Sequence, residues 1–331
     1  MMKVTMADVA KYAGVSKSTV SQYINHRYEY MGEGTRRKIK EAIEKLGYQP
    51  NYIAKSLKQK RTFIIGIIVA NIVHRFSTEV SRSIEDFCYE NEMQAIICNA
   101  DNNGKKEKKY IDMLRAKQID GLIIFPTGQN EDLYKKMVEE GYPVVFMDRD
   151  IPHLKAPFVL ANNKQATYEA ISYFIQKGHQ RMAIVTQPLT ISSRKERLEG
   201  YKQALTEHHI ELRADYMISA EIAALHEKLD QLFHLEEPPT AILAGNDLVF
   251  LEIFSFLQEK QLKVPEDVSL IVFDNIPFAH LSNPPMTIIA QPAFEMGAKA
   301  ADLLLKQINK ESISCERIYF PCELFLGCQA P

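Results

Sequence analysis

Seven short runs of aliphatic residues constrain this chain most. They are FIIGIIVA (63–70), QAIICNA (94–100), DGLIIF (120–125), PVVFMD (143–148), MAIVT (182–186), TAILAG (240–245) and VSLIVFD (268–274). Each is nearly continuous in Ile, Val and Leu, and each is followed by a stretch with apolar residues at helical spacing. A strand with no polar face has no side to turn to water, so such strands belong in parallel sheets covered on both faces by helices. The strand–helix unit restarts near residue 163, which predicts two similar α/β lobes rather than one oversized sheet. In open sheets of this kind ligands bind beyond the carboxyl ends of the strands.

The first sixty residues are built differently. They carry twelve Lys and Arg against five Asp and Glu, whereas the whole chain has a formal net charge of −2. A basic head on an acidic body points to a polyanionic partner for the head alone. Thr5 with Asp8 three residues later predicts a capped helix carrying Val9, Ala10 and Ala13 on one face. Gly14 ends it, Ser16 caps a second helix with Val20 and Ile24 facing inward, and Gly47 stops a third running from Glu33 to Leu46. Helix, tight glycine turn and helix form a helix-turn-helix, whose second helix lies in the DNA major groove. In that placement Ser16, Thr19 and Ser21 reach phosphates, while Lys17, Ser18 and Gln22 point at bases. The basic segment NYIAKSLKQKR (51–61) has Ile53, Ala54 and Leu57 at helical spacing but is too short to be stable alone.

Several function classes are disfavoured. The five cysteines are widely spread with no C-x-x-C pair, against a disulfide framework or a zinc site and in keeping with a reducing cytoplasm. The N-terminus lacks a signal-peptide core, and the longest apolar run is too short to span a bilayer. No G-x-S-x-G, P-loop or H-E-x-x-H motif is present. KKEKKY near residue 105 reads as a solvated helix face, and His179 as a turn or helix-end residue rather than a catalytic base.

The stretches VTMADVAKYAGVSKSTVSQYIN and TRRKIKEAIEKLGYQPNYIAKSL resemble the headpiece and hinge of the LacI/GalR family of bacterial repressors. The likeness continues in order through GHQRMAIV, RLEGYKQAL, PTAILAGND, VPEDVSLIVFDN and PPMTIIAQP, nearly the whole chain. It implies a headpiece (1–50), a hinge helix (51–61) and a periplasmic-binding-protein-like core. The core would have one lobe of residues 62–161 plus 291–321 and another of 162–290 plus 322–331. It implies double-stranded operator DNA as partner, contacted through Thr5, Ser16, Lys17, Ser18, Thr19, Ser21, Gln22 and Asn25. Asn51, Ala54 and Leu57 match the hinge, which folds in the minor groove and wedges a leucine between base pairs. Gln22 stands where many members carry Arg, a change that favours adenine over guanine.

The resemblance further implies a small-molecule effector held by Phe76, Asp148, Arg149, Arg197, Asn246, Asp274 and Gln291, with no metal or other cofactor. Acid, amide and guanidinium groups together suit a polyhydroxylated ligand; a structural ion pair is the other reading of Arg197 or Asp274. There are departures from the pattern: Arg75 for a proline before Phe76, Phe250 for a small residue, Val272 for a glycine and Asn275 for an acid. Added cations at Arg75 and Arg149 favour a sugar acid over a neutral sugar; a neutral sugar, a sugar phosphate or a purine is the alternative effector. The RYEYMGE stretch also resembles regulators of keto-deoxygluconate use. With no leucine heptads before Pro331, a homodimer is expected rather than a tetramer. A transporter's solute-binding protein is the distant alternative, and it would not carry residues 1–60.

Overall fold

A computed structural model describes residues 4–49, 61–283 and 285–327. The expected hinge residues Asn51, Ala54 and Leu57 lie outside them. The chain divides into two units, Met1–Thr62 and Phe63–Pro331.

The first unit holds three helices: α1 (Met6–Ala13), α2 (Lys17–Ile24) and α3 (Glu33–Leu46). At the start of α1 the Thr5 amide donates to Asp8 Oδ2 (2.9 Å), while Thr5 Oγ1 accepts from the Asp8 amide (3.4 Å), a reciprocal cap. Gly14 takes φ 66°, a left-handed conformation that releases the chain into the turn. Ser16 Oγ then accepts from the Thr19 amide at 3.1 Å to start α2. Val9, Ala10, Ala13, Val20, Met31, Ile39, Ala42 and Tyr48 form the core. Ile24, expected inside, is only half-buried. With so small a core, caps and turns carry a large share of the stability. Arg36 secures the loop before α3 by lying over the Tyr28 ring (4.5 Å) and donating to the Tyr28 carbonyl (2.9 Å).

The second unit begins β1 (Ile64–Val69), α4 (Arg75–Glu90), β2 (Gln94–Asn99), α5 (Gly104–Ala116), β3 (Gly121–Ile124), α6 (Glu131–Glu139), β4 (Val144–Met147) and β5 (Phe158–Ala161). A second series follows: α7 (Asn163–Gln176), β6 (Met182–Thr186), α8 (Ser192–Glu207), β7 (Met217–Ser219), α9 (Ile222–Phe233), β8 (Ala241–Ala244), α10 (Asp247–Glu259), β9 (Ser269–Phe273) and β10 (Thr287–Ala290). The chain ends with α11 (Ala293–Ile308), β11 (Arg317–Phe320) and β12 (Glu323–Phe325).

Two six-stranded sheets result, ordered β11-β5-β4-β3-β1-β2 and β12-β10-β9-β8-β6-β7. The first is parallel throughout. The second departs from the expected parallel sheet at one edge, where β12 runs antiparallel to β10. The two residues between β11 and β12 carry the chain from one sheet to the other. All seven anticipated strands form; β5, β7, β10, β11 and β12 were not among them. Helix α11 packs on α4 against the first sheet, and α7 packs on α8 beside the second. There Gly200 lets the helices meet, since a Cβ would collide with the Lys164 carbonyl. No helix among the described residues is long and apolar enough to cross a membrane.

Candidate functional site

On the first unit, α2 exposes Lys17, Ser18 and Gln22, while Thr19 and Ser21 are half-buried. The Ser16 hydroxyl is committed within the cap, 2.7 Å from Ser18 Oγ and 2.8 Å from Thr19 Oγ1. Asn25 closes the helix, its Nδ2 donating to the Ser21 carbonyl at 2.7 Å. Thr5 is likewise held by Asp8. The three side chains expected to face bases are thus exposed, with Ser18 tied to Ser16 through its hydroxyl.

On the second unit, the strand ends gather a set of buried polar groups between the lobes. Asp148 and Arg149 follow β4, Gln187 follows β6, Asn246 and Asp247 follow β8, Asp274 follows β9 and Gln291 follows β10. Arg194 and Arg197 join them from the first turns of α8. Asp148 and Asp274 sit at φ 71° and 100°, strained settings for side chains and a mark of positions the fold holds for a purpose.

Arg149 is buried, and each of its nitrogens has one partner: Nε faces Asp148 Oδ2 (3.3 Å), Nη1 donates to the Pro126 carbonyl (3.0 Å) and Nη2 to Asn102 Oδ1 (2.9 Å). Arg197 stacks on Phe273, 3.5 Å from guanidinium carbon to ring centroid, and donates from Nε to Asn163 Oδ1 (2.8 Å) and from Nη1 to the Gly245 carbonyl. Those partners are neutral, and among the described residues no carboxylate forms the structural ion pair weighed for it. Asn246 Oδ1 caps α10 on the Val249 amide (2.9 Å), and its Nδ2 donates to Gln187 Oε1 (2.8 Å).

Asp274 accepts from Gln291 Nε2 (2.6 Å) and from the Asp247 amide (3.3 Å). Burial, with the Asp247 charge adding to it against Arg197, lifts its carboxyl to about 6. Asp247 is also buried, yet it titrates below the usual range because His74 and the amides of Arg75 and Leu248 bond its charged form. Its Oδ1 lies 2.6 Å from His74 Nδ1, and its Oδ2 accepts from the Arg75 amide at 2.7 Å. These contacts join the N-terminus of α4 in one lobe to that of α10 in the other. A second crossing runs from the Asp150 amide to Ser192 Oγ at 2.7 Å.

Phe250, a departure from the family pattern, is 1% exposed and packs into the second lobe's core. Two expectations need correction. Arg75 adds little charge to the cleft, because its guanidinium pairs with Glu79 at 2.7 Å, one turn along α4. KKEKKY is not wholly a solvated face: Glu107 is fully buried, accepting from Thr127, Asn130 and Tyr134. Phe76 is buried at the start of α4, its ring edge-on to Phe125 at 6.2 Å. His179 bridges Thr240 (2.9 Å) and Ser269 (3.1 Å) after α7, a structural place.

Residues 5–51 match the family described as bacterial regulatory proteins of the lacI family. Residues 62–328 match the periplasmic binding proteins and sugar binding domain of that family. The chain belongs to the LacI family. It is a transcriptional regulator, not an enzyme. It is 46% identical over 320 residues to the transcriptional regulator EndR of Paenibacillus polymyxa, covering 96% of this chain and 94% of that protein. It is 34% identical over 315 residues to KdgR of Bacillus subtilis, covering 92% and 91%. Among solved structures, the Lac repressor bound to ONPG in the repressed state is matched with a TM-score of 0.87 at 24% identity, covering 99% and 100% of the two chains. The CelR–cellobiose complex is matched at 0.72 and 26%, covering 99% and 100%. LacI-family repressors bind operator DNA and small-molecule effectors and act as dimers.

Asn163, Gln187, Ser192, Arg194, Asp247 and His74 also meet in this cleft and were not among the anticipated effector residues. Gln187 and Asp247 follow β6 and β8 as Asn246 does, so position at a strand end was a signal open to sequence reading. Arg194 lies three residues before Arg197 and so shares its face of α8.

Proposed function

We propose that this protein is a cytoplasmic homodimeric repressor of a carbohydrate-use operon, released from its operator by an anionic sugar derivative bound between the lobes. The effector in this reading is a sugar acid such as keto-deoxygluconate. The lobes comprise residues 62–161 plus 291–321 and 162–290 plus 322–331, in keeping with the membership of the two sheets. Lys17, Ser18 and Gln22 read bases in two half-sites, and Asn51, Ala54 and Leu57 engage the minor groove between them. The exposed Phe278 and Leu281 support a contact with a second copy of the chain.

The observation that carries the effector is Arg197. It is 5% exposed, and among the described residues no carboxylate lies within ion-pair distance of its guanidinium. A buried cation left without an anion leaves a place for one. Asp148, Asn246 and Asp274 supply the acceptors and donors that a sugar's hydroxyls need. Gln291 Oε1, buried without a partner, awaits a donor. EndR and KdgR are both named as transcriptional regulators, which supports the regulatory part of this reading. A neutral saccharide is the second reading, favoured by the number of carboxylates near the cleft and by the CelR–cellobiose complex.

An effector shifts operator affinity only by its differential affinity for two lobe arrangements. Coupling of roughly 1–3 kcal/mol gives about a 5- to 150-fold change. Arg197→Met tests the site: the variant is expected to stay dimeric and bind operator as the parent does, without responding to keto-deoxygluconate. A response at the parent's effector concentration would remove Arg197 from the site.

A further inference from the structure

Arg194 is the least expected group in the cleft. It lies on α8 one turn before Arg197 and is 8% exposed. Its Nη2 donates to Gln187 Oε1 (2.9 Å) and its Nη1 to the Pro188 carbonyl (2.9 Å), both neutral acceptors. Among the described residues no carboxylate stands within ion-pair distance of it. The charges that act on it are chiefly like charges, Arg149 from the facing lobe and Arg197 from its own helix, with Asp148 and Glu221 as weaker opposition. Burial and those two guanidinium groups together pull Arg194 down to about 10. A guanidinium buried beside two others, with no anion of its own, is an arrangement that an anionic ligand would complete.

Charge is unevenly spread along the cleft. The Asp274 end holds Asp247, His74 and Gln291, which act on the Asp274 carboxyl together with Arg197. The Arg194 end holds Arg149 and Gln187, with Arg197 between the two poles. Gln187 Oε1 accepts from both Asn246 and Arg194, so a single amide fixes the side chains that face either end.

We infer that Arg194 is a specificity-determining residue that binds the effector's carboxylate together with Arg149, so that the acid group spans the lobes while the hydroxyls are read at the Asp274 end. This rests on the anionic-effector reading above and deepens it: that reading needs a cation, and this one names a second and gives the ligand a direction. Arg194 spends two N–H groups on neutral oxygens, and Arg149 also faces Asp148 Oδ2, so the carboxylate takes up the Nη hydrogens that remain on each. Because Arg149 and Arg194 stand on different lobes, an anion between them relieves their repulsion only when the lobes are closed on it. A neutral sugar in the same cleft leaves that repulsion in place.

The test uses the full-length dimer and calorimetric titration with keto-deoxygluconate, gluconate and galacturonate, each acid paired with a neutral sugar (2-deoxyglucose, glucose, galactose). Arg194→Met keeps the apolar stem and removes the charge; Arg194→Lys restores charge without the planar fork. Loss of one charge-assisted contact is expected to weaken the acid that binds the parent by about 10- to 100-fold. Neutral-sugar binding should be unchanged, and Arg194→Lys should recover part of the loss. Operator affinity and melting temperature without ligand serve as controls on folding. If Arg194→Met binds the acid as tightly as the parent while Arg197→Met does not, this inference fails and the anionic-effector reading stands. If the parent binds a neutral sugar at least as well as its acid partner, or binds none of the acids, both fail. Equal weakening of acid and neutral sugar would make Arg194 a merely structural residue and would also overturn the inference.

Discussion

Replacing Asp274 with Asn should make the second unit more stable at neutral pH. The carboxyl is buried, and its folded-state value is about 6 against an ordinary 3.8. A raised acid favours the folded state fully below the unfolded value, and that advantage is lost as pH rises through the folded value. In the parent, therefore, this group makes stability fall between about pH 4 and pH 6, after which the carboxylate is carried in the fold at full cost. A carboxyl raised this far costs the fold about 3 kcal/mol at most once it is ionised. Asp274→Asn removes the titration, while its amide oxygen still accepts from Gln291 Nε2. Its NH2 group then faces the Asp247 amide, a cost of about 1 kcal/mol that is the same at every pH. The net gain at pH 7 is about 1–2 kcal/mol, with near zero or a small loss at pH 4. Melting of parent and variant at matched protein concentration from pH 4 to pH 7.5 reads this directly. The difference in melting temperature should swing by about 4–10 °C in favour of the variant as pH rises. Glu196, which burial lifts to about 7, titrates over an overlapping range, but it is common to both proteins and cancels. A pH-independent difference, or one that swings against Asp274→Asn, would mean that Asp274 is held ionised by Arg197, and the reasoning would be refuted. The same variant should lose its response to effector.

Three further outcomes follow from the structure. Gln22→Ala should cost about 1–3 kcal/mol of operator binding and relax preference at one base pair per half-site, read by fluorescence anisotropy over operator variants; an unchanged rank order would take Gln22 off the bases. Thr5→Ala removes one half of the α1 cap and should lower headpiece stability by about 1 kcal/mol, seen as faster amide exchange in residues 6–13 with the larger unit's melting unaffected. Leu281, 74% exposed, should be replaceable by Glu without loss of fold, yet Leu281→Glu should shift the dimer toward monomer in sedimentation; an unshifted dimer would place the interface elsewhere.

The helices of the headpiece and the long strands were legible because their signals are local. A Thr5–Asp8 cap, a left-handed glycine and an aliphatic run each act within a few residues. The strands not anticipated are of another kind. β5, β7, β10, β11 and β12 have three or four residues each, against four in β3, β4 and β8, but each lies next to a strand that offers it hydrogen bonds only once the sheet is assembled. The reversal of β12 depends on where β10 lies when the chain arrives.

The cleft divides in the same way. The family resemblance named Asp148, Asn246 and Asp274, and each follows directly on an aliphatic strand whose end is set by the strand itself. Charge state was not local. Glu107 sits in a run of lysines and is buried, Arg75 is quenched by Glu79, and Arg194 in SSRKERLEG looks like one more solvated arginine. Only the packing of α8 against α7, and the facing lobe that brings Arg149, decide that Arg194 is taken out of water without an anion. Sequence sets which charges exist and their helical phase; the dielectric around each, and so its use, depends on what the fold places opposite it.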